Sequence, residues 1–148
     1  MKITNVVIGS KIMEIIITNL PRIFLIIGAG LFFYFGVLGL VNPVATVLPM
    51  EISINSGISK TEIRATYGGL MLGIACFLLY AAFFEVKTGL VAMVLIVGTI
   101  GIVRLCSIFY DDSGSSIQWY LLGMELISTV IALVLLVVYY WVGSGNNV

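Results

Sequence analysis

The stretch Gly89-Leu-Val-Ala-Met-Val-Leu-Ile-Val-Gly-Thr-Ile-Gly-Ile-Val-Arg-Leu-Cys-Ser-Ile-Phe-Tyr110 decides the fold, together with the run Gln118–Val142 that follows it. Each run is long and apolar enough to span a bilayer as a helix, which takes about 20 residues. A polar link, Asp111–Ile117, joins them. It is too short for anything but antiparallel neighbours. Each run carries one charge, Arg104 in the first and Glu125 in the second. A charge at the centre of a membrane helix costs roughly 2.5–3.5 kcal/mol on insertion scales, so it needs a partner or a task. Arg104 stands seven residues before Asp111, and Glu125 eight after Ile117. At a helical rise of about 1.5 Å, both lie roughly 10–12 Å inside the helix ends, at matching depth.

Working outward, two more runs qualify. Ile23–Val41 has no charge, and Ile63–Phe84 has only Arg64 at its start. The expected spans are 23–41, 63–84, 89–110 and 118–142, joined by Asn42–Glu62, Glu85–Thr88 and Asp111–Ile117. The apolar runs are continuous, whereas a membrane barrel needs alternating segments of about 10 residues. The expected fold is all-α: an integral membrane four-helix antiparallel bundle. The composition agrees, with 61% hydrophobic and 9% charged residues against about 25% charged in soluble domains.

Residues 1–22 read differently. Ile3, Val6, Val7, Met13, Ile16, Ile17 and Leu20 recur at helical spacing between Lys2, Lys11 and Arg22. That pattern predicts an N-terminal amphipathic interfacial helix ending near Pro21. Glu14 and the lack of a small-residue cleavage pattern argue against a signal peptide. Basic residues set the orientation. Lys2, Lys11, Arg22 and Lys87 fall on one side, and Lys60 and Arg64 on the other. Both termini are expected in the cytoplasm, with a location in the cell inner (cytoplasmic) membrane.

Net charge is zero and no basic cluster occurs, which gives no sign of nucleic acid as a partner. The chain has no His, the commonest metal ligand and proton shuttle. No metal or cofactor is expected. Cys76 and Cys106 lack CxxC spacing and read as buried thiols. Asp111-Asp-Ser-Gly114 reads as a turn, with too few ligands for calcium.

Glu62, Arg64, Arg104 and Glu125 all fall toward one membrane face. Gln118, Glu125, Ser128, Thr129 and Ala132 share a face of the last helix, and Gly101 and Ser107 flank Arg104 at offsets of three. On the second span, Ala65, Gly68, Gly69, Gly73, Cys76 and Tyr80 form a small-residue face. Gly69 and Gly73 there make a GxxxG pair suited to close helix packing. Tyr67, Tyr110, Trp119 and Tyr120 at one boundary, and Tyr139, Tyr140 and Trp141 at the other, read as aromatic belts. Ser59 and Glu62 have capping-box spacing, so the second helix is expected to start after Ser59. Val44–Leu48 reads as a short interfacial helix. The charged group has three readings: a salt bridge that holds register, a polar pocket for a headgroup or proton, or a contact with another subunit.

Glu62-Ile-Arg-Ala-Thr-Tyr-Gly-Gly-Leu-Met-Leu-Gly73, then Gly101-Ile-Val-Arg-Leu-Cys-Ser107, Asp111 and Glu125-Leu126 resemble a bacterial four-helix membrane family catalogued as domain of unknown function 4345. The resemblance covers about residues 23–140. It points to Glu62, Arg64, Tyr67, Gly68, Gly69, Gly73, Arg104 and Glu125 as the family's polar and glycine positions. Asn42-Pro43 stands where the family often has Asp-Pro, and the Asp111–Gly114 turn is longer than its usual Asp-Gly. The family name implies no activity. The leading expectation is a small non-catalytic accessory or interaction subunit, partnered by membrane lipids and by other subunits or its own copies. The alternative is a binder or carrier of a lipid, quinone or other amphiphile. A small transporter acting through Glu125 comes third.

Overall fold

A computed structural model describes the backbone of residues 2–145 and the side chains of residues 18–141. Six α-helices occur in it: α1 (Lys2–Val41), α2 (Pro43–Val47), α3 (Gly57–Ile63), α4 (Met71–Phe84), α5 (Val86–Tyr110) and α6 (Ser116–Gly145). A π-helical segment, Arg64–Leu70, joins α3 to α4 without a break. No strand occurs among the described residues. Four stretches are long and apolar enough to cross a membrane: Thr18–Val41, Gly57–Phe84, Val86–Tyr110 and Ser116–Trp141. This is the architecture of a multi-pass membrane protein. The last three begin a few residues before their apolar runs, because polar residues at a helix start still make helical hydrogen bonds.

The helix ends follow local chemistry. Asn42 caps α2, its side-chain oxygen accepting from the Ala45 N–H at 3.1 Å, with Pro43 in the first turn where its missing N–H costs nothing. The short helix expected at Val44–Leu48 is therefore α2, shifted by one residue. The second span starts at Ser56, not Ser59. The extended Ser56 accepts from the Ser59 N–H at 3.1 Å. Glu62 thus lies in the body of α3 rather than closing a capping box. Between α4 and α5 the expected four-residue connection shrinks to Glu85 alone.

Pro21 does not end the first helix, which runs through it. Its side chain is buried against the rest of the protein. Membrane helices tolerate proline because neighbouring groups re-satisfy the freed carbonyl. The amphipathic pattern predicted for residues 1–22 rests on side chains that lie almost wholly outside the described ones.

Packing is strongest within two helix pairs, α1 with α4 and the π segment, and α5 with α6. The pairs share a core formed by Leu25 and Ala29 of α1, Leu78 and Ala82 of α4, Val86, Leu90, Met93 and Val97 of α5, and Ala132 and Leu135 of α6. All of these lie in the half of the molecule nearest Glu85. Gly89 makes this approach feasible, since a methyl group there would lie 2.7 Å from Leu25 Cδ1 and 2.8 Å from Ala81 Cβ. Elsewhere the helices turn large apolar side chains outward, among them Phe33, Phe83, Leu95, Ile102 and Phe109. At most 28% of any span's most apolar window is buried inside the protein, so the surface that remains suits hydrocarbon. Cys76 and Cys106 also face outward as free thiols, correcting the expectation that the protein buries them. An apolar run shows that a residue avoids water, not which face of its helix it occupies.

Candidate functional site

Arg104 and Glu125, expected at matching depth, meet. Arg104 Nε donates to both Glu125 carboxylate oxygens, at 3.0 and 2.9 Å, and Nη2 donates to Oε1 at 2.7 Å. The third donor direction, Nη1, reaches Gln118 Oε1 at 2.7 Å. Charge-assisted bonds of this length are among the stronger hydrogen bonds in proteins. The side chains remain 22% and 15% exposed, so the pair is not sealed in the core. Each terminal nitrogen of Arg104 keeps a second N–H with no acceptor among the described residues.

Small residues and a hydroxyl hold α6 in place. A methyl built on Gly101 would touch Glu125 Cβ at 3.4 Å, and one on Gly98 would press Thr129 Cγ2 at 3.1 Å. Thr129 Oγ1 donates to the Glu125 carbonyl at 2.7 Å. Of the expected stripe Gln118, Glu125, Ser128, Thr129 and Ala132, Gln118 and Glu125 face α5 through Arg104, Thr129 faces it at Gly98 and Ala132 lies in the core, while Ser128 is half-buried. Gln118 was legible as part of that face. Its direct bond to Arg104 was not anticipated, although an offset of seven from Glu125 placed it there.

The other charges do not join this network. Arg64 Nε donates instead to the Leu40 carbonyl at 3.1 Å, satisfying one of the open carbonyls at the end of α1. Tyr67 is half-buried, and its hydroxyl meets Met50 Sδ at 3.8 Å. Glu62 is exposed and has no ion pair among the described residues. The expected five-residue cluster therefore divides. Arg104 and Glu125 link α5 to α6, while Arg64 and Tyr67 tie the second span to α1 and the loop after it.

Gly68 and Gly39 form the closest seam of that second group. A methyl on Gly39 would lie 2.7 Å from the Tyr67 carbonyl carbon, and one on Gly68 would lie 2.6 Å from Leu40 Cδ2. Gly36 is equally confined by Leu72, at 2.8 Å. A methyl on Gly73 would meet nothing within 4 Å, and one on Gly69 only the Arg64 carbonyl at 4.0 Å. The predicted Gly69/Gly73 packing pair therefore makes no packing contact within the protein. Gly36 and Gly39, which carry the load, were not singled out from sequence. The π segment explains part of this, because its wider turn shifts the phase of the residues that follow.

Two grooves open at the Asp111 end. The first, about 490 Å³, is lined by Ile100, Val103, Arg104, Ser107, Asp111 and Gln118 among others. The second, about 590 Å³, adjoins it through Ser113 and Gln118 and reaches Glu51 and Asp112. Glu51 and Asp112 are the two non-glycine residues with left-handed backbone among the described residues, at φ 59° and 47°. Nearby, Trp119 meets Phe109 edge-on, while Tyr110 and Tyr120 face outward. At the opposite end Lys87 lies over the Tyr140 ring, 5.4 Å from its centre. Among the described residues no three His, Cys, Asp or Glu groups converge for a metal.

Residues 20–136 match the protein family described as Domain of unknown function (DUF4345). The chain belongs to this family. The DUF4345 region thus contains every residue of the Arg104 network, the π segment and both grooves, and leaves residues 1–19 outside. Comparison with curated proteins gives no match, and comparison with solved structures gives none either.

Proposed function

We propose that this chain is a non-catalytic antiparallel four-helix bundle of the inner membrane that holds an amphiphile by its polar end beside Arg104. In this reading both termini and the Glu85 connection lie on the cytoplasmic side, and the grooves open outward. The observation that carries it is the state of Arg104. Two side chains, Glu125 and Gln118, hold its guanidinium in place through three oxygens, yet it lines an open groove and keeps two N–H groups for an acceptor. Ile100 and Val103 on the same wall suit an apolar chain. A few convergent polar groups in an otherwise apolar concavity are the usual make-up of a small-molecule site.

The structure changes the expected ligand chemistry. Arg64 is engaged with α1, and Arg104 is neutralised by Glu125. A pair of arginines waiting for an anionic headgroup is not what the groove offers. The test is lipid retention by the purified protein, measured by mass spectrometry after detergent washing. Replacing both charges together, as Arg104→Met with Glu125→Leu, avoids leaving either one unpaired. Loss of a bound amphiphile with the fold intact supports the proposal, and unchanged retention refutes it.

A second reading, an accessory or self-associating subunit, is favoured by Ala65, Gly69 and Gly73. These small residues lie exposed along the second span and leave a smooth strip against which another helix could pack. Cysteine cross-linking from position 73 in native membranes tests it. Absence of any cross-linked species would count against a partner there.

A further inference from the structure

The network around Arg104 has engaged its acceptors and kept donors in hand. Both Glu125 oxygens and Gln118 Oε1 accept from the guanidinium. Because an arginine only donates, the Nη1 contact fixes which way round the Gln118 amide lies. Gln118 Nε2 and the Ser107 hydroxyl then have no partner among the described residues. Neither is sealed away, since no buried side-chain nitrogen or oxygen there lacks a partner. Both residues line the 490 Å³ groove, as does Arg104 with its two further N–H groups. The groove follows one stripe of α5, with Thr99, Val103, Ser107 and Asp111 at offsets of four. At helical rise that stripe is about 18 Å long, enough for a chain as well as a head.

We infer that this groove takes an amphiphile whose polar end is an uncharged carbonyl, its oxygen accepting from the open N–H groups of Arg104 and Gln118. This rests on the amphiphile-binding reading and names its ligand class. Charge decides against the alternatives. Glu125 already balances Arg104, and Asp111 lines the same groove. An anionic head therefore adds a negative charge with no cation left to match it. A cationic head meets N–H donors that it cannot use. A carbonyl has no charge to desolvate, and its two lone pairs suit two donors from different side chains. Ile100, Val103 and Ile108 supply the apolar wall for the rest of the molecule.

The experiment uses the full chain, delipidated in detergent and equilibrated with equal amounts of decylubiquinone, dioctanoylglycerol, dodecyl phosphate and decylbenzene. Retained probe is counted by mass spectrometry after gel filtration. The expected result is that a carbonyl probe is retained about tenfold over both dodecyl phosphate and decylbenzene, the scale of one hydrogen bond to a charged donor. Which carbonyl probe wins tells a ring ketone from an ester. Glu125→Gln keeps an oxygen for Arg104 Nε and removes the balancing charge, so dodecyl phosphate should gain several-fold on the carbonyl probes. Asp111→Asn, at an exposed turn, makes a like change without touching the pair and should move the preference the same way. Dodecyl phosphate retained as well as the carbonyl probes by the unaltered chain, or a preference that neither variant moves, overturns this inference and leaves amphiphile binding standing. Decylbenzene retained as well as the carbonyl probes, or no probe retained, overturns both.

Discussion

Alanine at Gly39 and at Gly73 should give opposite results, and the contrast tests where the first two spans truly meet. At Gly39 the added methyl faces main-chain atoms only: the Tyr67 carbonyl carbon at 2.7 Å, the Gly68 nitrogen at 2.8 Å and the Tyr67 oxygen at 2.8 Å. None of these is the free end of a side chain, so the backbones themselves must part. Restoring ordinary contact takes roughly 0.7 Å, and a gap of that size forfeits a quarter to a half of each neighbouring dispersion contact. Within a bilayer no hydrophobic gain offsets this, because lipid is as apolar as the protein. Overpacking of this kind costs about 1–3 kcal/mol, and the backbone nature of the clash places Gly39→Ala near 2. At Gly73 the methyl meets nothing within 4 Å. Gly73→Ala should be neutral, or more stable by up to about 1 kcal/mol through helix propensity. The assay is unfolding by dodecyl sulfate titration in mixed micelles, followed by fluorescence of Trp119 and Trp141. A cost of about 2 kcal/mol shifts the folded-to-unfolded ratio by roughly 30-fold. If Gly73→Ala destabilises as much as Gly39→Ala, the seam lies on the wrong face and the reasoning fails.

Other substitutions probe the remaining contacts. Arg104→Met alone should cost about 2–4 kcal/mol, somewhat under the value for a fully buried pair, because it strands Glu125; adding Glu125→Leu should recover most of the loss in the same titration. Equal losses in the single and double variants would show that the two residues are not coupled. Ser56→Ala should remove about 1 kcal/mol through the lost helix cap, while Glu62→Ala changes little; the reverse order would restore the capping box at Ser59. Cys76 and Cys106 should react in membranes with a lipid-soluble maleimide and resist a water-soluble one, as read by mass shift. Rapid labelling of both by the water-soluble reagent would place their faces in an aqueous path instead.

How much of this was legible in sequence depends on whether neighbours along the chain set the outcome. The four spans were, because the penalty for exposing backbone or charge to hydrocarbon is felt residue by residue along a segment. Arg104 and Glu125 were also legible as partners. A short link between two helices fixes register, so counting from the link finds equal depth. Gln118 followed from its offset on the same helix face. By contrast, the glycines that pack could not be ranked. In a soluble helix the buried face differs from the wet one. Here both faces are apolar, so Gly39 and Gly73 look alike until a second helix chooses between them.

The sequence by itself determined that this chain is helical, has four stretches long and apolar enough to cross a membrane, belongs with a family of unknown function and sets one arginine and one glutamate at matching depth. Those results follow from hydropathy, helical rise and the shortness of one loop. Only the tertiary structure decided that Arg64 serves the end of α1, that the shared core occupies the half near Glu85, and that the other half is hollowed into two grooves, one lined in part by Asp111 and the other by Glu51 and Asp112. These depend on how the two helix pairs lean together. Gly89 allows the close approach of the two pairs, while close contacts at Gly36, Gly39 and Gly68 set how α1 packs on the second span, in each case between residues far apart in the chain.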